Sequence, residues 1–165
     1  MKKMTTPLVV FAFLLASITA SYAQQVRMAI QGGYGTEIEK GAVGASFEIF
    51  AIDRLSFAPG VNFYIPAEKI DIGGSDLKIS YWEFNLDMHF YVVKSEDFGL
   101  YGIAGLNVLA VKAKLGNNSD SDNESGANLG LGISVGPGLP FIEAKYETVG
   151  DGQFFIGGGF RFPIN

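Results

Sequence analysis

The sequence predicts an all-β protein, an eight-stranded antiparallel up-and-down β-barrel. Two observations lead to this prediction. Apolar and polar residues alternate along most of the chain beyond its first two dozen residues, and glycine and other small residues collect on the polar side of that alternation. A period of two is the pattern of a strand with one apolar and one polar face. Small residues on one face suit the crowded interior of a small barrel.

The alternation is clearest between residues 81 and 92. The even positions are all apolar: Trp82, Phe84, Leu86, Met88, Phe90 and Val92. The odd positions are all polar or amphipathic: Tyr81, Glu83, Asn85, Asp87, His89 and Tyr91. No helical period fits this stretch, so it predicts a strand.

The same pattern recurs and predicts eight strands in all. Their ranges are 25–34, 41–50, 55–66, 79–93, 99–113, 127–136, 140–149 and 153–163. The fifth strand is apolar on both faces, and we place Leu100, Ala104, Leu106 and Val108 on its apolar face. Most strands are near the roughly 9–11 residues that a tilted membrane-spanning strand needs.

The first residues have the order of a secretory signal peptide. Lys2 and Lys3 precede an apolar run at 8–16, and Ser21 and Ala23 stand at the −3 and −1 positions of a cleavage site. The run is too short for a membrane-spanning helix. We therefore predict a signal peptide at 1–23, cleaved after Ala23, and one barrel domain at 24–165.

Composition excludes several classes of function. The formal net charge is −5 and no basic cluster is present, which argues against a nucleic-acid partner. The sequence has no cysteine, so disulfides, thiolate chemistry and cysteine-based metal sites are excluded.

Periodicity alone leaves two orientations open, because a soluble barrel buries its apolar face and a membrane barrel exposes it. The predicted connections favour the membrane orientation. Those at 51–54, 94–98 and 137–139 are tight and share one end, whereas the long ones at 67–78 and 114–126 share the other. This asymmetry is typical of outer-membrane barrels.

Aromatic residues near both ends of the strands favour the same orientation, because lipid-facing bands carry aromatic girdles at both interfaces. Near the outer ends we place Trp82, Phe63 and Phe154, and near the periplasmic ends Phe50, Phe90, Phe141 and Phe162.

The last predicted strand, 154–162, is rich in glycine and phenylalanine. Together with the signal peptide and eight amphipathic strands, it resembles the small eight-stranded outer-membrane β-barrel family of the OmpX and OmpA-barrel type, a porin-like family. The sequence departs from that family where Pro163-Ile164-Asn165 follow Phe162, because such barrels usually end on an aromatic residue.

The resemblance implies a place in the outer membrane of a Gram-negative-type bacterium. Outer-membrane lipid, lipopolysaccharide and, during biogenesis, the barrel-assembly machinery would then be partners. The implied role is structural or surface-interactive, without catalysis, and an extracellular partner would bind through the loops 67–78 and 114–126.

In the membrane orientation, the charged residues form an interior polar network that pairs within itself, because an unpaired buried charge is costly. Its members are Arg27, Glu48, Glu83, Asp87, His89, Glu143, Lys145, Glu147 and Arg161. The lipid-facing set is Trp82, Phe84, Leu86, Met88, Phe90, Phe160 and Phe162. Eight strands leave room only for side chains, so we expect a plugged interior, with Glu147 partly solvated near a mouth.

Two other functions stay open. His89, with Asp87 or Glu83 on the same face, could be the base of a lipid-modifying barrel enzyme. The sequence places His89 at the periplasmic end, far from outer-leaflet lipid, so we expect no catalytic residue. The third possibility is a soluble lipocalin-like calyx that binds an apolar ligand.

No cofactor or metal is expected. Asp120, Asp122 and Glu124 have the spacing of early Ca²⁺-loop ligands. The glycine of that motif is one position late, however, and Leu131 stands where its bidentate glutamate should be. We therefore interpret this segment as a solvated loop.

Overall fold

The computed structural model describes residues 25–65, 70–72, 75–116, 118–136 and 140–164. The predicted signal peptide at 1–23 and its cleavage site lie outside these residues. The described residues contain no helix that is long and apolar enough to cross a membrane.

The described residues form antiparallel strands joined mostly by tight turns. The strands are β1 Val26–Gly35, β2 Lys40–Ile52, β3 Leu55–Tyr64, β4 Ile70–Ile72, β5 Ser75–Lys94, β6 Phe98–Leu115, β7 Asn118–Val135, β8 Pro140–Glu147 and β9 Gln153–Pro163. Each pairs with its neighbour along the barrel, β9 pairs with β1, and β3 pairs with β5. These last two pairings close an eight-stranded barrel, while the three-residue β4 only extends one end of β5. The predicted eight-stranded antiparallel barrel is therefore confirmed.

Side chains alternate between the interior and the outer surface as the sequence pattern predicts. On β5, Glu83 is 0% exposed and its neighbour Trp82 is 44% exposed. On β6, Tyr101 and Ile103 are buried and Leu106 is 64% exposed, which confirms the phase predicted for that strand. Most charged and polar barrel residues thus lie in the interior, together with some large apolar ones, while apolar residues cover the outside. A soluble calyx with an apolar interior requires the reverse.

Glycines make room for the large interior side chains. A Cβ atom at Gly132 would overlap the ring of Tyr101 on the adjacent strand, and one at Gly105 would overlap the carboxylate of Asp87. Glycine on the inward face is therefore a packing requirement of this narrow barrel.

The two ends of the barrel differ. One end, the tight-turn end, holds the start of β1, the end of β9 and the short connections after β2 and β5. At the other end, β5, β6 and β7 continue beyond their neighbours, because β3–β5 pairing stops at Phe63 and Trp82 and β7–β8 pairing stops at Asn128 and Glu147. We call this continuation the protruding sheet: residues 75–81 of β5, 110–115 of β6 and 118–126 of β7, with β4 alongside.

The protruding sheet contradicts the predicted loop at 114–126. Residues 118–126 pair with 107–115 in unbroken register, so most of the predicted loop is strand. Sequence reasoning missed this strand because all of 118–125 is exposed and polar, so no apolar face marks it. The loop at 67–78 is wrong at 70–72 and 75–78, which are strand, and its other residues lie outside the described ones.

Two members of the predicted aromatic girdle are also wrong. Phe50 is 5% exposed and Phe141 is 3% exposed, and both point into the barrel. They share the phase of Glu48 and Glu143 on their own strands, so alternation places them inside.

Candidate functional site

The polar interior contains two clusters of paired side chains. The first, which we call the Arg161 cluster, lies toward the tight-turn end. Arg161 Nη2 lies 2.6 Å from Glu143 Oε1, and Arg161 Nε lies 3.8 Å from Glu48 Oε2. Arg27, partly exposed at the rim, lies 3.5 Å from the same Glu48 oxygen. Two guanidinium groups therefore offset two carboxylates.

His89 bridges the carboxylates of this cluster. Its Nδ1 lies 3.3 Å from Glu48 Oε1 and its Nε2 lies 3.9 Å from Glu143 Oε1. The imidazole ring stacks on Tyr101 with ring centroids 4.9 Å apart. Asp87, one of the partners that the enzyme hypothesis requires, makes its contacts with Lys145 and Asn128 instead.

Ser56 is the register partner of His89 on the next strand, yet it is not activated by it. The Ser56 hydroxyl donates a hydrogen bond to Glu48 Oε1 at 2.9 Å. A histidine that acts as a base must accept the proton of the nucleophile. The Ser56 proton points to Glu48 and not to His89, so this pair lacks the geometry of a nucleophile and its base. His89 is also buried. The geometry is that of an interior network.

The second group, the Lys145 cluster, lies toward the protruding sheet. Lys145 Nζ lies 3.2 Å from Asp87 Oδ2 and 3.1 Å from Glu147 Oε1. It also donates to Asn85 Oδ1 at 2.9 Å. Asn128 Nδ2 completes the cluster with contacts of 2.7 Å to Asn85 and to Asp87.

Two further hydrogen bonds to carboxylates lie near Lys145, on the side of the protruding sheet. The Tyr64 hydroxyl donates to Glu83 Oε2 at 2.7 Å, and Gln153 Nε2 donates to Glu147 Oε2 at 2.7 Å. Glu147 is 0% exposed, so the expectation that it would be partly solvated is wrong.

The two clusters differ in charge balance. The Arg161 cluster has two arginines for Glu48 and Glu143, with His89 between them. The Lys145 cluster has Lys145 alone among the described side chains to offset Glu83, Asp87 and Glu147. The Lys145 cluster therefore has an excess of carboxylates. Burial of charges of one sign away from water costs free energy.

The described interior is filled. Apolar layers close it on both sides of the polar clusters: Ala42, Tyr64, Leu109, Val149 and Phe155 at one end, and Phe50, Tyr91, Tyr101 and Ile103 at the other. Between the clusters lies a cavity of about 20 Å³. That space holds about one water molecule.

All nine residues assigned to the interior from the sequence lie on the inward side, and the structure brings them into these two groups. Sequence reasoning missed the neutral members that complete the hydrogen bonds: Ser56, Tyr64, Asn85, Tyr91, Tyr101, Asn128 and Gln153. Their shared phase with the charged residues is the signal that could have found them.

The residues assigned to the lipid-facing set lie on the outer surface. Leu86 is half-buried there, and the others are exposed: Trp82, Phe84, Met88, Phe90, Phe160 and Phe162. Trp82 packs against Phe63 of β3 with ring centroids 5.0 Å apart, just below the protruding sheet.

The protruding sheet presents a free strand edge. Beyond Ala127, which accepts from Thr148 N, residues 118–126 of β7 pair with β6 on one side and with no described strand on the other. Asp120, Asp122 and Glu124 lie at alternate positions and so share one face of this strand. They are spread along an extended chain, and no group of three metal ligands occurs among the described residues.

No protein-family model matches the sequence, and no curated protein matches it. Solved structures do. The N-terminal β-barrel domain of Pseudomonas aeruginosa OprF matches with a TM-score of 0.63 at 16% identity, over 84% of this chain and 97% of that one. Neisserial surface protein A matches with a TM-score of 0.54 at 16% identity, over 86% and 96%.

Ail, the attachment invasion locus protein of Yersinia pestis, was solved in complex with the heparin analogue sucrose octasulfate. It matches with a TM-score of 0.53 at 16% identity, over 84% of this chain and 97% of that one. At these identities the likeness concerns the fold. The closed barrel, its polar interior and these matches agree with the resemblance found in the sequence: the chain has the fold of the small eight-stranded outer-membrane β-barrels.

Proposed function

We propose that the protein is an integral outer-membrane barrel that presents the protruding sheet to the outside of the cell as a contact surface. The observation that carries this proposal is the outer wall, where apolar side chains from every barrel strand are exposed. Contiguous exposed apolar surface of that extent is costly in water and favourable in lipid. Closure of the sheet removes the unpaired edges that lipid does not tolerate.

The orientation follows from the two ends. Short turns face the periplasm and longer projections face outward in known outer-membrane barrels. We therefore assign the tight-turn end to the periplasm and the protruding sheet to the exterior, after removal of a signal peptide at 1–23. Lipopolysaccharide and other outer-membrane lipids would surround the wall, and the assembly machinery would insert it.

Two measurements test the membrane assignment. The protein should fractionate with outer membranes, and unheated samples should migrate differently from boiled samples in detergent gels, because a closed barrel resists detergent until heated. A protein that stays soluble without detergent would contradict the proposal.

The partner that the protruding sheet fits best is an extended, basic segment of another protein. The open edge of β7 spans nine residues, 118–126, or about 30 Å at roughly 3.3 Å per residue. An exposed edge can pair with an added strand. Asp120, Asp122 and Glu124 beside that edge favour cationic side chains.

A matched pair of triple variants tests this partner class. The probe is a nine-residue peptide of alternating lysine and threonine, measured by fluorescence anisotropy with the detergent-folded barrel. Asp120→Asn, Asp122→Asn and Glu124→Gln together should weaken binding about tenfold at low salt. Glu37→Gln, Glu39→Gln and Asp151→Asn remove the same charge from exposed turns at the same end. Equal weakening by both sets would contradict edge-specific binding.

We also propose that the barrel is not an enzyme. Support comes from His89, which is buried between Glu48 and Glu143 while Ser56 donates to Glu48. Substitution of His89 should leave lipid A composition unchanged in cells that express the protein. An altered lipid profile would favour the lipid-modifying alternative.

A further inference from the structure

The outward face of the protruding sheet carries a compact group of lysines. Lys78 on β5 is the register partner of Lys114 on β6, and Ser80 is the partner of Lys112. All three lysines are exposed and lie on the face that continues the apolar outer wall. Like charges directly opposite each other on a sheet are destabilising, so this arrangement is not explained by stability.

Hydroxyl groups surround these lysines. On β7, Ser121 is the register partner of Lys112 and Ser119 is the partner of Lys114. No carboxylate among the described side chains forms an ion pair with Lys112 or Lys114. Ammonium and hydroxyl donors on one exposed face are the chemistry that binds phosphate oxygens.

The basic zone is confined to the two levels nearest the apolar wall. The next register pair along β5, Asp71 of β4 with Asp76, contains no lysine or arginine. At the opposite rim, the described turn residues carry both signs of charge, with Asp53, Glu96 and Asp97 as well as Arg54. The lysines therefore stand where the wall meets the exterior on one side of the barrel.

An apolar groove lies directly below the lysines on the same strands. It has a volume of about 240 Å³, and most of its lining residues are apolar, among them Pro59, Phe84, Leu86, Leu106 and Val108. Its level nearest the lysines, Phe84 paired with Val108, is four residues from Lys112 along β6, or about 13 Å. Trp82 and Ala110 occupy the level between them, where an interfacial aromatic is expected.

We propose that this wall binds one phosphate-bearing lipid, with an acyl chain in the groove and the phosphate on Lys112, Lys114 and Lys78. The proposal rests on the membrane assignment above and adds a site to it. Charge complementarity and continuity of the groove with the lipid-facing wall point to this occupant. The serine hydroxyls of β7 would complete the contacts to the phosphate.

The test uses the full barrel in phosphatidylcholine vesicles that contain a trace of spin-labelled lipid. Electron spin resonance gives the motionally restricted fraction for labelled phosphatidic acid and for labelled phosphatidylcholine, and their ratio measures preference for phosphate. Because each lysine near an anionic surface attracts the phosphate, Lys112→Gln with Lys114→Gln should lower this preference about thirtyfold, which corresponds to about 2 kcal/mol. High salt should lower it in the wild type as well.

A matched double variant and a groove variant complete the design. Arg54→Gln with Lys94→Gln removes two positive charges at the other rim and should leave the preference unchanged. Leu106→Trp fills the groove and should reduce the restricted fraction of both lipids. Loss of preference only in the Arg54–Lys94 variant, or none in the Lys112–Lys114 variant, would overturn the site.

The outcome also separates this site from the proposed function. Heat-dependent migration of each variant reports whether its barrel has inserted. A wild-type barrel that does not enter vesicles contradicts the membrane assignment itself. A barrel that enters but restricts both lipids equally contradicts the lipid site alone.

Discussion

Lys145 is the one cationic side chain among the described residues of its cluster, which holds three carboxylates. It is buried, and it contacts Asp87 and Glu147 directly. Breaking a buried ion pair by removal of one partner leaves an uncompensated charge, which is far more costly than loss of an exposed pair.

Lys145→Met should therefore destabilise the barrel by about 3–5 kcal/mol. The measurement is the urea midpoint in detergent micelles, followed by the fluorescence of Trp82, the single tryptophan of the chain. Lys94→Met is the control, because Lys94 pairs with a largely exposed Asp53 and should cost less than about 1 kcal/mol. Equal midpoints for the two variants would contradict the role given to Lys145.

Glu83→Gln should leave stability unchanged or raise it. The substitution removes one negative charge from a cluster with three carboxylates and one ammonium group, and the amide oxygen can still accept from Tyr64. Glu48→Gln is the contrast, because Glu48 faces two arginines and accepts from Ser56 and Tyr91. It should destabilise the barrel by about 2 kcal/mol or more in the same unfolding measurement. A Glu83→Gln variant as unstable as Glu48→Gln would show that the excess of carboxylates is offset in another way.

At this scale, the sequence could place each charged residue inside because the side-chain period of a strand is two. It could not predict which residues pair. Lys145 lies two residues from Glu147 on its own strand, but its partner Asp87 reaches it from β5, across the lumen. Such contacts depend on barrel curvature and side-chain length, which alternation does not contain.

Among the strands, β5, β6 and β7 set the shape of the barrel end that carries the protruding sheet. The barrel parts of these strands could be predicted because each has one apolar and one polar face. The extension of β7 could not be predicted, because its serines, asparagines and acidic residues have low strand propensity and both of its faces are polar and exposed to solvent. Backbone pairing with β6 holds it in place, and such pairing leaves no mark in hydropathy.

Hydrogen exchange should reveal the free edge as an alternation. Between 118 and 126, amides that bond to β6 should exchange slowly, and those that point to the open edge should exchange fast. Between 128 and 134, where β8 covers the other side, protection should be uniform. Uniform fast exchange over 118–126 would show that the segment is a loop after all.

For the whole molecule, the closed interior predicts very low ion permeability. The cavity between the polar clusters holds about one water molecule, and apolar layers lie on both sides of it. In planar lipid bilayers, the inserted protein should give no stable conductance steps, while a wide porin in the same bilayer should. Reproducible steps that scale with salt would contradict the filled interior.

The cross-lumen contacts carry a consequence for how the protein reaches its final state. Glu48 on β2 meets His89 on β5, and Arg161 on β9 meets Tyr101 on β6, although none of these strands are neighbours in the sheet. A partly formed, open sheet would expose these polar and charged groups to hydrocarbon without their partners. Insertion of one hairpin after another is thus disfavoured. We expect the strands to close into a barrel before the outer wall enters the lipid.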